Sequence, residues 1–169
     1  MKTRFTIIAL LFISLCVLSA TKISVFGQTK QSGKAEIKAA KVEKSIRSGQ
    51  YEIIVNQVNP MSGGVRHLTP DYSVRISGDS SYVYLPYFGR AYSAPYGGDG
   101  GIKAATLMGN YKVDYKEGKN YSIGFSAKGD NDTYRFSISV WTNGSTSINV
   151  TCNNRQAINY MGYLKLPEE

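Results

Sequence analysis

The fold is decided by residues 121–152, YSIGFSAKGDNDTYRFSISVWTNGSTSINVTC. Within this stretch apolar and polar side chains alternate in three runs, which is the period of a β-strand with one buried and one solvent-facing side. The runs are separated by Gly129–Asp132 and by Asn143-Gly144, and both are turn signals that join neighbouring strands in a hairpin. The stretch therefore predicts three consecutive antiparallel strands.

The same alternation continues on both sides of this stretch. Further strands are predicted at 51–55, 72–76, 82–88, 102–108, 111–115 and 158–166. No segment between these strands has helical periodicity, so parallel crossovers are not expected. The sequence predicts a mainly β protein, an antiparallel meander of eight or nine strands closed into a β-barrel, because closure removes the sheet edges. A two-sheet β-sandwich is the alternative.

One amphipathic helix is predicted ahead of the strands, at 34–48. Ala35, Ala39, Val42 and Ile46 fall on one face, and Gly49 follows where a left-handed residue ends many helices. We therefore expect a basic helical segment at 28–49 and a barrel domain at 50–169. Its lysine-rich side is interpreted as a solvated helix face, with a membrane or nucleic-acid patch as the alternative.

The first 27 residues have the layout of a secretory signal peptide. Lys2 and Arg4 precede an apolar run that ends at Ala20, and Gly27 is a plausible cleavage position. The apolar run is short for a membrane span. A transmembrane anchor and a lipid anchor on Cys16 are the alternatives. We predict an exported protein, periplasmic or secreted, with no membrane span after signal removal.

The charge of the chain is concentrated in its N-terminal part. Of the formal +8, three charges lie in residues 1–27, four in 28–50 and only one in the remainder. A nearly neutral domain offers little counterion release, so no nucleic-acid partner is predicted. After signal removal one cysteine, Cys152, and one histidine, His67, remain, which excludes a zinc site built from Cys and His alone. No catalytic constellation is present, and no metal or other cofactor is predicted.

An aromatic cluster marks the candidate ligand site. Its members follow one another from the end of a predicted strand into a glycine-rich loop, and they are Tyr82, Tyr84, Tyr87, Phe88, Arg90, Tyr92 and Tyr96. A tyrosine offers a flat apolar ring and a polar hydroxyl, and an arginine can pair with an anionic group. We predict ligand contacts from Tyr87, Arg90, Tyr92 and Tyr96, and we interpret the strand tyrosines as core. The alternative is that the loop residues only fix a barrel corner.

Three segments carry a family resemblance. They are LPYFGRAY at 85–92, GGDGGI at 97–102 and INYMGY at 158–163. With the signal peptide and the lysine-rich helix, residues 30–166 resemble the domain of unknown function 4251 family, exported proteins found chiefly in the Bacteroidota. The resemblance implies a lipocalin-like β-barrel. It implies no activity, substrate or catalytic residue.

These observations favour a non-enzymatic binding module that holds a small apolar or amphipathic ligand in or at the mouth of the barrel. The alternative is an envelope-associated protein–protein interaction module with a packed barrel and an exposed apolar patch. A third hypothesis is an enzyme with paired carboxylates at the barrel mouth. The ligand and the oligomeric state do not follow from the sequence.

Overall fold

The computed structural model describes residues 28–69, 71–92, 100–116, 120–129 and 132–167. The predicted signal peptide lies outside these residues. The elements are α1 (Gln28–Arg47), β1 (Gln50–Pro60), β2 (Arg66–His67), β3 (Ser73–Ser77), β4 (Ser80–Leu85), β5 (Ile102–Leu107), β6 (Gly109–Lys116), β7 (Asn120–Lys128), β8 (Thr133–Trp141), β9 (Ser145–Thr151) and β10 (Ile158–Leu164). Within the described ranges, no helix has the length and apolar character needed to cross a membrane.

The strands form one antiparallel sheet that curves into a nearly closed barrel. Its order is β5-β4-β3-β1-β10-β9-β8-β7-β6, and the short β2 pairs with β1. The predicted meander is confirmed, because consecutive strands are neighbours and β1 pairs with β10. The two ends of the sheet, β5 and β6, are separated along the chain only by Met108. A bulge follows that residue, and Asn110 has a φ of 53°. The chain thus bends there, from pairing with β4 to pairing with β7.

Buried side chains fill the interior of the barrel. Val and Ile residues dominate, and the rings of Phe125 and Phe136 stack at a centroid distance of 4.7 Å. Tyr160 is fully buried, and its hydroxyl donates a hydrogen bond to the Pro86 carbonyl at 2.7 Å. Burial raises the pKa of Tyr160 far above its usual range, so the hydroxyl stays protonated. The inward-facing residues belong to one continuous core.

The last turns of α1 pack against this core. Val42 and Ile46 are buried in it as predicted, whereas Ala39 is half-buried and Ala35 is exposed. The helix begins at Gln28, so the predicted start near residue 34 was wrong. The helix includes Gly33, because the loss of about 1 kcal/mol of helix stability that a glycine causes is tolerated in a helix interior. Gly49, with a φ of 65°, ends the helix as expected.

Several strand boundaries differ from the predicted ones. β4 ends at Leu85, before the predicted limit of residue 88, because the next residue, Pro86, has no backbone N–H to donate to a neighbouring strand. β1 continues to Pro60, through residues expected in a loop. In β6 the apolar side chains are exposed instead of half-buried, because this strand ends the sheet and pairs only with β7.

Candidate functional site

Tyr87, the first predicted ligand contact, is held by internal contacts. Its hydroxyl lies 2.9 Å from the carbonyl oxygen of Arg90 and 3.0 Å from that of Gln156, and it can donate its one proton to either of them. The guanidinium of Arg155 stands 5.1 Å from the centre of its ring. Partial burial raises the pKa of Tyr87, which keeps the hydroxyl a donor. Tyr87 therefore fastens the segment after β4 to the segment before β10.

The next residues extend this connection through their backbones. The N–H of Gln156 donates to the Arg90 carbonyl at 3.0 Å, and the N–H of Tyr92 donates to the Asn154 carbonyl at 2.8 Å. Ala91 forms an isolated bridge with Arg155. The side chain of Arg90 is exposed, and Tyr92 is 67% exposed. The structure thus brings three of the four predicted residues to one loop with a fixed backbone, while Tyr96 lies outside the described residues.

The residues that hold this loop from the other side were not predicted from the sequence. Arg155 is buried, and its guanidinium donates to the carbonyl oxygens of Gly100 and Gly101. The carboxylate of Asp132 accepts the N–H of Asn154 at 3.0 Å and that of Thr133 at 2.8 Å. Partial burial acts against ionisation of Asp132, but these hydrogen bonds lower its pKa below the usual value. A buried arginine after an Asn-Asn turn gave no signal at the level of sequence.

Cys152 and His67 differ in their exposure. Cys152 is only partly buried, and this burial raises the pKa of its thiol. A thiol that stays protonated is a poor nucleophile. His67 is exposed on β2. In the part of the chain that the structure describes, no three Asp, Glu, His or Cys residues are grouped as metal ligands.

An exposed cluster of aromatic and cationic side chains lies on the outer side of β3, β4 and β5. Tyr82 and Tyr84 point outwards from β4 and are 42% and 45% exposed, so their interpretation as core was wrong. The guanidinium of Arg75 lies 4.6 Å from the centre of the Tyr82 ring. The Tyr84 ring has the Lys103 ammonium at 5.3 Å and the Tyr72 ring at 5.3 Å. We name Tyr72, Arg75, Tyr82, Tyr84 and Lys103 the aromatic–cationic face.

Apart from Tyr72, the aromatic–cationic face lines an open groove of about 840 Å³, and the described residues of this lining include more cationic than acidic side chains. Lys128 contributes a further cation to the groove. Among the described residues of the lining the acidic one is Glu52, and one of its carboxylate oxygens lies 3.3 Å from the ammonium nitrogen of Lys165, so it is already paired. Beyond the end of β4, the guanidinium of Arg66 stands 4.8 Å from the ring centre of Phe88.

A protein-family model described as "Domain of unknown function (DUF4251)" matches residues 33–164. The chain belongs to the DUF4251 family. The chain is also similar to a crystal structure of a DUF4251 family protein from Bacteroides eggerthii DSM 20697, with a TM-score of 0.60 and 16% identity. That similarity covers 77% of this chain and 88% of the other, and at this identity it supports the fold alone. No curated protein matches the chain.

Proposed function

We propose that this DUF4251 protein is an exported, non-enzymatic interaction module that binds an acidic protein partner through the aromatic–cationic face. The observation that carries the proposal is the set of cations stacked on outward tyrosines along one groove. Export is proposed from the basic and apolar pattern of residues 1–27.

Because large side chains occupy the interior of the barrel, we expect a partner to bind on its outer side. The side chains that point inwards are buried in one core, and they include the large residues Tyr160, Phe125 and Phe136. A core packed to the density of a protein interior accommodates a ligand only by displacing side chains. The outer side of the sheet needs no such rearrangement.

The composition of the face favours a protein as the partner. Tyrosine and arginine dominate the energetics of protein interfaces, because both bury a large area while keeping specific polar contacts. Their rings and guanidinium group are already stacked here, so less side-chain entropy is lost on binding. Arg75, Lys103 and Lys128 give the groove its positive charge, which favours an acidic surface and makes association sensitive to salt.

A second candidate is a small ligand at the loop of Arg90 and Tyr92. Both side chains are exposed on a backbone that hydrogen bonds hold in place. A fixed backbone with exposed polar and aromatic side chains is suited to ligand contact. Native mass spectrometry of the purified chain tests this candidate: a small molecule retained by the wild type and lost from Arg90→Gln would favour it.

Site-specific photo-crosslinking in cells that produce the full chain tests the main proposal. A photoreactive residue replaces Tyr82 in one strain and Tyr163, equally exposed at 47% on β10, in a control strain. We expect one acidic protein to be crosslinked from position 82 only, and its yield to fall when Arg75→Ala is added. The absence of a protein adduct at position 82, or the same adducts at both positions, would refute the proposal.

A further inference from the structure

A second groove, lined by residues other than those of the aromatic–cationic face, extends across β1, β10, β9, β8 and β7. Its residues are paired across the sheet: Gln57 lies opposite Met161, Gly162 opposite Thr146, and Thr146 opposite Val140. Trp141 follows Val140 and lies opposite Asn120 on β7. The groove measures about 740 Å³ and ends at the turn between β8 and β9. We name it the amide groove.

A β-bulge gives the amide groove two adjacent amide side chains. The register between β1 and β10 shifts between Val55 and Gln57, so Asn56 has no partner on β10. Because Val55 and Val58 are both buried, Asn56 and Gln57 lie together on the outer side. Bulges commonly redirect side chains in this way at binding sites. The strand alternation alone would have turned one of the two amides inwards.

The floor of the groove is formed where two strands approach closely. Gly162 has no side chain, and an added Cβ would lie 2.9 Å from the Ile54 carbonyl carbon. Opposite Gly162, the Thr146 hydroxyl is buried and has no hydrogen-bond partner among the residues described. Thr146 belongs with Ile148 and Val150 to the buried side of β9, so this hydroxyl faces the core and is not one of the groups that the outer side offers to a ligand.

The chemistry of the lining is polar and uncharged. Three asparagines and Gln57 supply amides, Thr142 and Ser145 supply hydroxyl groups, and none of the described residues in the lining is ionisable. Amides donate and accept hydrogen bonds, as the hydroxyl groups of a sugar do. Trp141, 38% exposed, adds a flat indole face of the kind that packs against the apolar face of a sugar ring. An anionic ligand would find no cation among these described residues.

We propose that the amide groove binds a neutral saccharide, with a ring packed on Trp141 and its hydroxyl groups bonded to Asn56, Gln57 and Asn120. Such a site adds a carbohydrate ligand to the protein partner proposed for the other face. The two proposals use different side chains and can fail separately. Hydrogen bonds to several hydroxyl groups of one chain make the affinity depend on the type of sugar.

The fluorescence of Trp141 can report binding at this groove, because Trp141 is the only tryptophan of the chain. The experiment adds cellohexaose, maltohexaose, xylohexaose or chitohexaose to residues 28–169 and follows Trp141 fluorescence, with calorimetry as an independent measurement. Hexagalacturonate serves as the acidic comparison. We expect saturable binding of at least one neutral hexasaccharide and at least tenfold weaker binding of the acidic one.

Two variants locate the binding. Asn56→Ala combined with Asn120→Ala removes two amides and leaves the reporter in place, and it should weaken binding at least tenfold. The control, Tyr82→Ser combined with Tyr84→Ser on the aromatic–cationic face, should bind as the wild type does. No binding of any neutral hexasaccharide at about 10 mM, or equal loss in both variants, would overturn the proposal.

Discussion

Gly162→Ala is expected to destabilise the barrel strongly, and the structure allows its effect to be worked out. An added Cβ would lie 2.9 Å from the Ile54 carbonyl carbon and 3.0 Å from the Val55 Cα, and still closer to the Ile54 oxygen. Carbon atoms in contact lie about 3.5–4.0 Å apart, so β1 and β10 would have to separate by roughly half an ångström or more. The obstruction is backbone, which cannot rotate away. Overpacking costs about 1–3 kcal/mol, and we expect the upper end.

Gly124→Ala on β7 is the matched control. An added Cβ there meets only the Phe136 carbonyl oxygen, at 4.0 Å, which is an ordinary contact. Replacing a strand glycine at a permissive position reduces the entropy of the unfolded chain, so this variant should be neutral or more stable by up to about 1 kcal/mol.

Urea unfolding of residues 28–169, followed by Trp141 fluorescence, measures both variants. With a slope of about 1–3 kcal/mol per molar urea, a loss of about 3 kcal/mol lowers the midpoint by roughly 1–3 M. We expect that decrease for Gly162→Ala with an unchanged slope, and no decrease for Gly124→Ala. Equal midpoints for the two variants would show that the close approach of β1 and β10 does not constrain this position.

Two further predictions concern single polar contacts. Asp132→Asn should make the free energy of unfolding less dependent on pH in acid. The folded-state pKa of Asp132 is lowered, so the stability that its carboxylate contributes is present above the unfolded-state pKa near 4 and is lost as the pH falls through the folded-state value. Urea midpoints between about pH 2 and 7 measure this dependence. Tyr160→Phe should lower the free energy of unfolding by about 1–3 kcal/mol, because it leaves the Pro86 carbonyl without its donor. Thermal unfolding should show a lower Tm, and circular dichroism should show an unchanged fold.

The strands of the barrel could be predicted where their two sides differ in chemistry. In β8 the residues at 134, 136, 138 and 140 are apolar and buried, and their neighbours are polar. The following turn contains Gly144 with a φ of 81°, as Asn-Gly predicted. Local alternation and turn chemistry carry this information, so these hairpins could be predicted. The pairing of β1 with β10 is not local, and only the general advantage of closure pointed to it.

The orientation of β4 could not be predicted, because both of its sides combine serine with larger apolar residues. The strand reads SSYVYL, so either alternate set could face the core. Pairing with β3 decides between them: Val83 lies opposite Val74, and both are buried. Ser81 is consequently buried as well, and its hydroxyl lies 3.5 Å from the Thr106 carbonyl oxygen. Tyr82 and Tyr84 are exposed for the same reason, which is why the aromatic–cationic face was missed.

The amide groove escaped prediction for a different reason. Its two amides on β1 lie side by side only because a bulge interrupts the alternation, and the bulge coincides with the close approach at Gly162. A bulge arises from pairing between strands that are distant in sequence, so no local pattern marks it. Both candidate surfaces consist of side chains that the interior does not need. Substitutions of Asn56, Asn120, Tyr82 or Tyr84 should therefore alter binding, while the free energy of unfolding measured in urea stays within about 0.5 kcal/mol of the wild type.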